Sequence, residues 1–178
     1  MSSAEKHYPT YTVDDYQSWP GDWELWDGHP IAMGPSPFGP HAKIQSQILI
    51  LIGNAISEAQ CNAEVLTELD WIVSPKTVVR PDVLVVCGDA PEKHLVSRPE
   101  LIVEVLSAST REQDLGFKKN LFLDQAVPYY LVADPETQEL RIFQLKENAY
   151  SELPNSKQIQ LQICGNCKLT IDTTRVFF

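Results

Sequence analysis

At 178 residues and 20.1 kDa, with 43% apolar, 21% charged and 9% aromatic residues, the chain has the composition of one globular domain and excludes a disordered or fibrous protein. Its 14 Lys+Arg against 24 Asp+Glu give a formal net charge of −10 and a pI near 4.8, which excludes a sequence-independent coat on a polyanion. The imbalance is uneven: residues 76–119 carry as many bases as acids, so the flanks hold the excess negative charge.

In chain order, residues 1–20 read as a polar N-terminal arm with a helical turn near 13–16, and residues 21–178 as a single domain. WELWDGHPIAM (23–33) holds two short apolar-rich runs around Asp27-Gly28, a dipeptide suited to a hairpin turn. A Pro- and Gly-rich loop (34–40) follows, then Ile44, Ile48, Leu51, Ile52, Ala55 and Ile56 at helical spacing, which predict a helix over about 41–59. AEVLTELDWIV (63–73), PDVLVVC (81–87) and LIVEVLS (101–107) read as three strands, the last two apolar enough to be buried on both faces. Ser109-Thr110-Arg111-Glu112 fits a capping box opening a second helix to about residue 126, which Pro128 ends. YYLVADP (129–135) and LRIFQLK (140–146) predict two more strands, with edge strands near 159–163 and 169–171. The order describes an α/β or α+β sheet with helices against it.

Three residues in this frame carry chemistry. Asp82 opens an apolar strand, where its carboxylate can stay near solvent; the plain alternative is a strand-initiating aspartate after a proline. Glu104 interrupts LIVEVL, and a charge there is costly unless paired, metal-bound or turned to water on an edge strand. Lys118 shares a helix face with Asp114, Leu115, Leu121 and Phe122, where it pairs with Asp114, snorkels, or reaches a site. Together, two carboxylates from adjacent strands and a lysine can converge on a divalent cation and a water, with Asp82 and Glu104 as oxygen ligands for Mg²⁺ or Mn²⁺.

RPDVLVV (80–86), PELIVEVLSAST (99–110), DLGFKKNLF (114–122) and VPYYLVADPE (127–136), with the opening WELWDGHPIAMGPSP (23–37), resemble the Uma-two-type restriction-endonuclease family, a branch of the PD-(D/E)XK nuclease superfamily. The resemblance spans about residues 20–147. It implies a restriction-endonuclease-like mixed sheet flanked by helices, and Mg²⁺- or Mn²⁺-dependent endonuclease chemistry on DNA. Asp82 falls at the PD position, Glu104 at the acidic position of the next strand and Lys118 at the helix lysine, so these three are the catalytic candidates. The wider superfamily carries a lysine two residues after that second acid, where this chain has Leu106. Glu24 and His41 also match the family's opening; Glu24 could supply a third carboxylate, and His41 could contact a phosphate or cap its helix.

Cys164-Gly165-Asn166-Cys167 has the CxxC spacing of a zinc or redox half-site but lacks a second pair or a histidine pair at matching spacing. Four cysteines are too few for a disulfide scaffold, and the N-terminus lacks the order of a signal peptide. The longest apolar runs fall far short of the roughly 20 residues of a membrane helix. A cytoplasmic location with no membrane contact is therefore expected. Cutting two strands calls for two sites, so a homodimer is expected as well. The competing expectation is a nuclease-fold binding or assembly module without activity.

Overall fold

A computed structural model describes residues 9–34 and 39–178. Most of the Pro- and Gly-rich loop (35–38) and the start of the arm (1–8) lie outside the described residues.

Thr12 and Asp15 close a capping box on α1 (Val13–Tyr16), each side chain bonding the other's backbone N–H. The described part of the arm lies against the next element, since the Tyr11 N–H donates to the Gly28 carbonyl at 2.8 Å. Asp27 and Gly28 both take positive φ, 48° and 83°, and this turn folds β1 (Trp23–Trp26) onto β2 (His29–Ala32). The periodic apolar run then forms α2 (Gly39–Glu58).

The stretch 63–73 is not one strand. It divides into β3 (Ala63–Thr67) and β4 (Trp71–Ser74), which belong to different sheets, because Glu68 turns the backbone to φ 51° between them. β5 (Thr77–Val79), which the pattern did not predict, returns along β4. Next come β6 (Val83–Cys87) and β7 (Leu101–Val105). The second helix has three parts: α3 (Arg111–Gln113), a π-helical turn (Asp114–Lys118) and α4 (Lys119–Asp124).

No capping box forms at 109–112. Thr110 is the N-cap and makes no side-chain cap bond; its hydroxyl is 3.0 Å from the Ser107 Oγ, which accepts the Thr110 N–H instead. β8 (Tyr129–Asp134), β9 (Glu139–Lys146) and the unpredicted β10 (Ala149–Glu152) follow. The two strands expected near the C-terminus pair with each other as a hairpin, β11 (Gln158–Ile163) and β12 (Cys167–Asp172).

Among the described residues the strands form three sheets: β2-β1-β5-β4, β10-β9-β8-β7-β6-β3, and β11-β12. β7 and β8 are parallel, joined by the helical segment, and the other neighbours in the six-stranded sheet are antiparallel. The sheet's residues alternate between two apolar clusters. Val83, Val85, Leu101, Val103, Val105, Leu131 and Ala133 pack with α2 and the C-terminal hairpin. Leu84, Val86, Ile102, Tyr130 and Val132 pack with Phe122 of α4 and with Trp71 and Val79 of the smaller sheet. The architecture is a mixed α+β fold with one central mixed sheet.

The cysteines depart from the sequence reading. All four are paired, Cys61 with Cys167 and Cys87 with Cys164, so each CxxC cysteine bonds a residue outside the motif. Separations of 106 and 77 residues hid these partnerships from any local pattern.

Candidate active site

The register of β6 and β7 builds the site. Val83 lies opposite Val103, so one step further Asp82 faces Glu104 across the two strands. Both acids occupy even positions and therefore point to the face that packs on the helical segment. The Val105 N–H donates to Asp82 Oδ2 at 2.7 Å, and the Asp82 N–H donates to Glu104 Oε2 at 3.4 Å. The strand edge thus holds both carboxylates by backbone.

Opposite them, the π-helical turn begins at Asp114 and ends at Lys118, and both side chains turn inward. Such turns are rare and recur at functional sites. Lys118 Nζ lies 3.0 Å from Glu104 Oε1, 3.1 Å from Glu24 Oε1 and 3.6 Å from Asp114 Oδ1. Glu24 reaches the ammonium from β1 and is itself fixed: its Oε1 accepts the Arg80 N–H at 2.7 Å, and its Oε2 accepts the Trp26 indole N–H at 2.8 Å. Trp26 in turn stacks on Phe117 of the π-helical turn, with ring centroids 4.1 Å apart.

His41, in the first turn of α2, brings Nε2 to 3.3 Å from Asp82 Oδ1. One turn on, Gln45 donates to the Asp82 carbonyl at 3.0 Å and to Glu68 Oε1 at 3.2 Å. The His41 Nδ1 is buried and has no hydrogen-bond partner among the described residues. The Asp82 side chain is 20% exposed, whereas those of Glu104, Asp114 and Lys118 are at most 9% exposed, so solvent enters from the Asp82–His41 side.

Three carboxylates surround one ammonium with Asp82 beside them, and the protonation equilibria reflect that ratio. Burial pushes Glu104 well above the ordinary carboxylate range against the attraction of Lys118, and the nearby acids Asp114, Asp82 and Glu24 add to the rise. Burial likewise raises Asp114 to about 6 against the opposing pull of Lys118. Burial alone would lower Lys118, yet attraction to Glu104, Glu24 and Asp114 holds it well above its ordinary value, so it stays a cation. For His41, desolvation is overcome by the hydrogen bond and charge of Asp82, and its pKa rises.

The structure brings together the predicted residues Asp82, Glu104, Lys118, Glu24 and His41. It adds Asp114, which the sequence marked only as a helix-face partner of Lys118, Trp26, which the sequence read as a packing aromatic, and Arg80, to which it gave no role at the site. Asp114 was detectable as the acid four residues before a buried lysine. Trp26 bonds Glu24 from two residues along the same strand, the spacing that puts both on one face, whereas the Arg80 backbone reaches Glu24 across 56 residues and leaves no local signal.

The donor set is oxygen-rich, the chemistry that hard divalent cations take. The carboxylates stand around the ammonium rather than closing on one another. Among the described residues, the one group of three His, Cys, Asp or Glu ligand atoms within 4.8 Å of one another is Cys87, Glu100 and Cys164, whose two sulfurs are joined in a disulfide. A depression of about 530 Å³ near the C-terminus, lined in part by Leu140, Lys157, Thr173 and Phe178, shares no residue with the cluster.

The family model Uma2, described as "Putative restriction endonuclease", matches residues 13–171. A Synechocystis sp. relative, the uncharacterised protein slr1290, is 26% identical over 148 residues, which are 79% of this chain and 77% of that protein. A crystal structure of a putative nuclease belonging to DUF820 from Anabaena variabilis superposes with a TM-score of 0.73 at 18% identity, covering 93% of this chain and 97% of that one. This likeness shows a shared fold, the restriction-endonuclease-like architecture expected from the sequence. Among the described residues no helix is long and apolar enough to cross a membrane.

Proposed function

Because this chain belongs to the Uma2 family, whose description makes nucleic acid the substrate class, we propose that it is an endonuclease hydrolysing DNA phosphodiester bonds with Mg²⁺ or Mn²⁺, through Asp82, Glu104 and Lys118. The carrying observation is the buried ring of Glu104, Glu24 and Asp114 around the Lys118 ammonium, abutting the partly exposed Asp82. A fold without activity has little reason to keep three buried acids beside a fourth at the surface, where each unpaired charge opposes folding.

The donor chemistry of the site, carboxylate oxygens throughout, suits a hard cation. Asp82 and Glu104 offer carboxylate oxygens from neighbouring strands, and Asp82 is open to solvent. These two would hold the ion, which when bound would polarise the scissile phosphate and lower the pKa of water. The remaining work falls to the chain. Lys118, kept protonated by Glu24 and Asp114, offsets negative charge at the phosphate and orients a water. The backbone donors on Asp82 and Glu24 fix those carboxylates before substrate arrives. His41 faces Asp82 through its Nε2, which places it to steady that carboxylate. A net charge of −10 opposes DNA binding by a monomer, which favours a homodimer that gathers Lys and Arg on one face and presents two sites to two strands.

One observation favours a second reading. The Lys118 ammonium already sits among three carboxylates, as a cation would, so the site could be a self-neutralised remnant in a non-catalytic module. Calorimetry with Mn²⁺ on the wild type and Glu104→Gln, together with DNA cleavage assays in Mg²⁺ and Mn²⁺, decides between them. The endonuclease reading expects saturable Mn²⁺ binding that weakens at least tenfold in Glu104→Gln, and cleavage that falls at least a hundredfold in Asp82→Ala. Absent binding and absent cleavage of single-stranded, duplex and branched DNA would leave the module.

A further inference from the structure

The four cysteines lie outside the chemistry above, at the other end of the same strand: Asp82 immediately precedes β6 and Cys87 is its last residue. Cys87 lies opposite Ala63, and Cys61 stands two residues before that position, so two anchors share one corner of the six-stranded sheet. Cys164 and Cys167 flank the turn between β11 and β12. Cα–Cα distances of 5.7 Å for Cys61–Cys167 and 5.6 Å for Cys87–Cys164 are those of ordinary disulfides.

We propose that these two bonds are a reducible clamp on the C-terminal hairpin, with Cys87–Cys164 the bond that a dithiol opens first. The order follows from access, since Cys87 is exposed while Cys61, Cys164 and Cys167 are partly buried. A thiolate of the dithiol attacks the Cys87 Sγ, the Cys87–Cys164 bond breaks, and Cys164 leaves as a thiolate that takes a proton. The second thiol of the reagent then attacks the mixed disulfide and frees Cys87. Two electrons and two protons pass to the protein, and the reagent becomes a disulfide.

Opening the clamp loosens the hairpin without unfolding the chain. Ile159, Leu161, Ile163, Leu169 and Ile171 remain buried against the sheet and against the α2 residues that include Ile48 and Ile52. That shared apolar layer gives the clamp its reach, because α2 also carries His41 to Asp82 and Gln45 to the Asp82 carbonyl. Covalent closure at one end of β6 therefore steadies the helix that contacts the carboxylate at the other end.

The test needs no nuclease activity, so its failure is separate from failure of the endonuclease reading. Protein purified without reductant is alkylated and peptide-mapped, then titrated with dithiothreitol while thermal stability and hydrogen exchange are followed. The expected map contains the 61–167 and 87–164 cross-links, with Cys87 and Cys164 the first to become alkylated as reductant rises. Full reduction should lower the melting temperature by about 20 °C, given the length of the loops that are closed. It should also raise exchange at least tenfold in residues 158–172, with a smaller rise in 39–58. Cys87→Ser/Cys164→Ser should melt between the oxidised and reduced forms and respond to dithiothreitol only through Cys61–Cys167. Free thiols throughout, one tightly held zinc per chain with all four cysteines reduced, or a melting temperature and exchange pattern indifferent to reduction would each overturn the clamp.

Discussion

The two faces of the six-stranded sheet are made from the same strands yet do opposite things. Toward α2 and the C-terminal hairpin, the odd positions of β6 and β7 pack apolar on apolar. Toward the helical segment, the even positions begin the same way, with Leu84, Val86 and Ile102, and are then interrupted by Glu104 beside Asp82. Glu24, Asp114 and Lys118 join them there, all buried. Strand alternation lets one residue differ in character from the next, so a costly charged cluster is grafted onto one face while the other keeps the fold.

The sharpest way to break this division is Lys118→Met, which keeps the side-chain length and removes the charge. Three buried carboxylates lose their counterion, and the variant should be less stable at pH 7 by about 3–5 kcal/mol. Urea unfolding measures this, and the loss should shrink at pH 5, where protons replace the ammonium. The matching change on the other face is Leu161→Ala in β11, a residue 1% exposed, which should cost about 2–5 kcal/mol through the cavity it leaves. Both variants lose comparable stability, but Leu161→Ala should bind Mn²⁺ like the wild type at temperatures where it is folded. A comparable change in Mn²⁺ affinity in Leu161→Ala would erase the distinction between the faces.

The sequence made this division partly legible. Glu104 announced itself because a charge inside LIVEVL is expensive, and Lys118 because helical spacing set it among apolar neighbours. The family resemblance supplied the roles. Continuous apolar runs predicted β6, β7 and β8 closely, since strands buried on both faces leave little ambiguity. The losses have physical causes. Glu68 breaks a continuous β-like pattern by its backbone conformation alone, and the three-residue β5 is too short for periodicity to register. The π-helical turn changes the hydrogen-bond spacing without changing composition. Arg80 donates its backbone to Glu24 and its Nε to Asp70 at 2.7 Å, contacts that only the assembled sheets create.

A subtler variant separates the cluster's charge from its shape. Asp114→Asn resembles the protonated acid, and Asp114 titrates near 6 in the fold against 3.8 for the free side chain. The folded state therefore binds the proton more tightly than the unfolded state. Below about 4 both states are protonated and no difference accrues; as pH rises toward 6 the wild type loses stability at this residue, and above that the loss is complete. Relative to wild type, Asp114→Asn should therefore gain about 2 kcal/mol between pH 4 and pH 7. Parallel unfolding curves across that range test it, and a difference independent of pH would show that Lys118 fully compensates Asp114.

The smallest effect should come from Trp26→Phe, which keeps an aromatic ring against Phe117 while removing the indole N–H from Glu24. Glu24 retains the Arg80 N–H and Lys118, so the stability loss should be about 1 kcal/mol. If Trp26 only fills space, the variant will bind Mn²⁺ as the wild type does. If its N–H sets the Glu24 carboxylate, Mn²⁺ affinity should change by about threefold, because a freed carboxylate competes differently for the Lys118 ammonium. Phe117→Leu supplies the contrast: it loses the stacked ring but leaves the indole N–H in place, so it should disturb stability more than metal affinity. The opposite ranking would locate control of Glu24 in the aromatic stack rather than in the hydrogen bond.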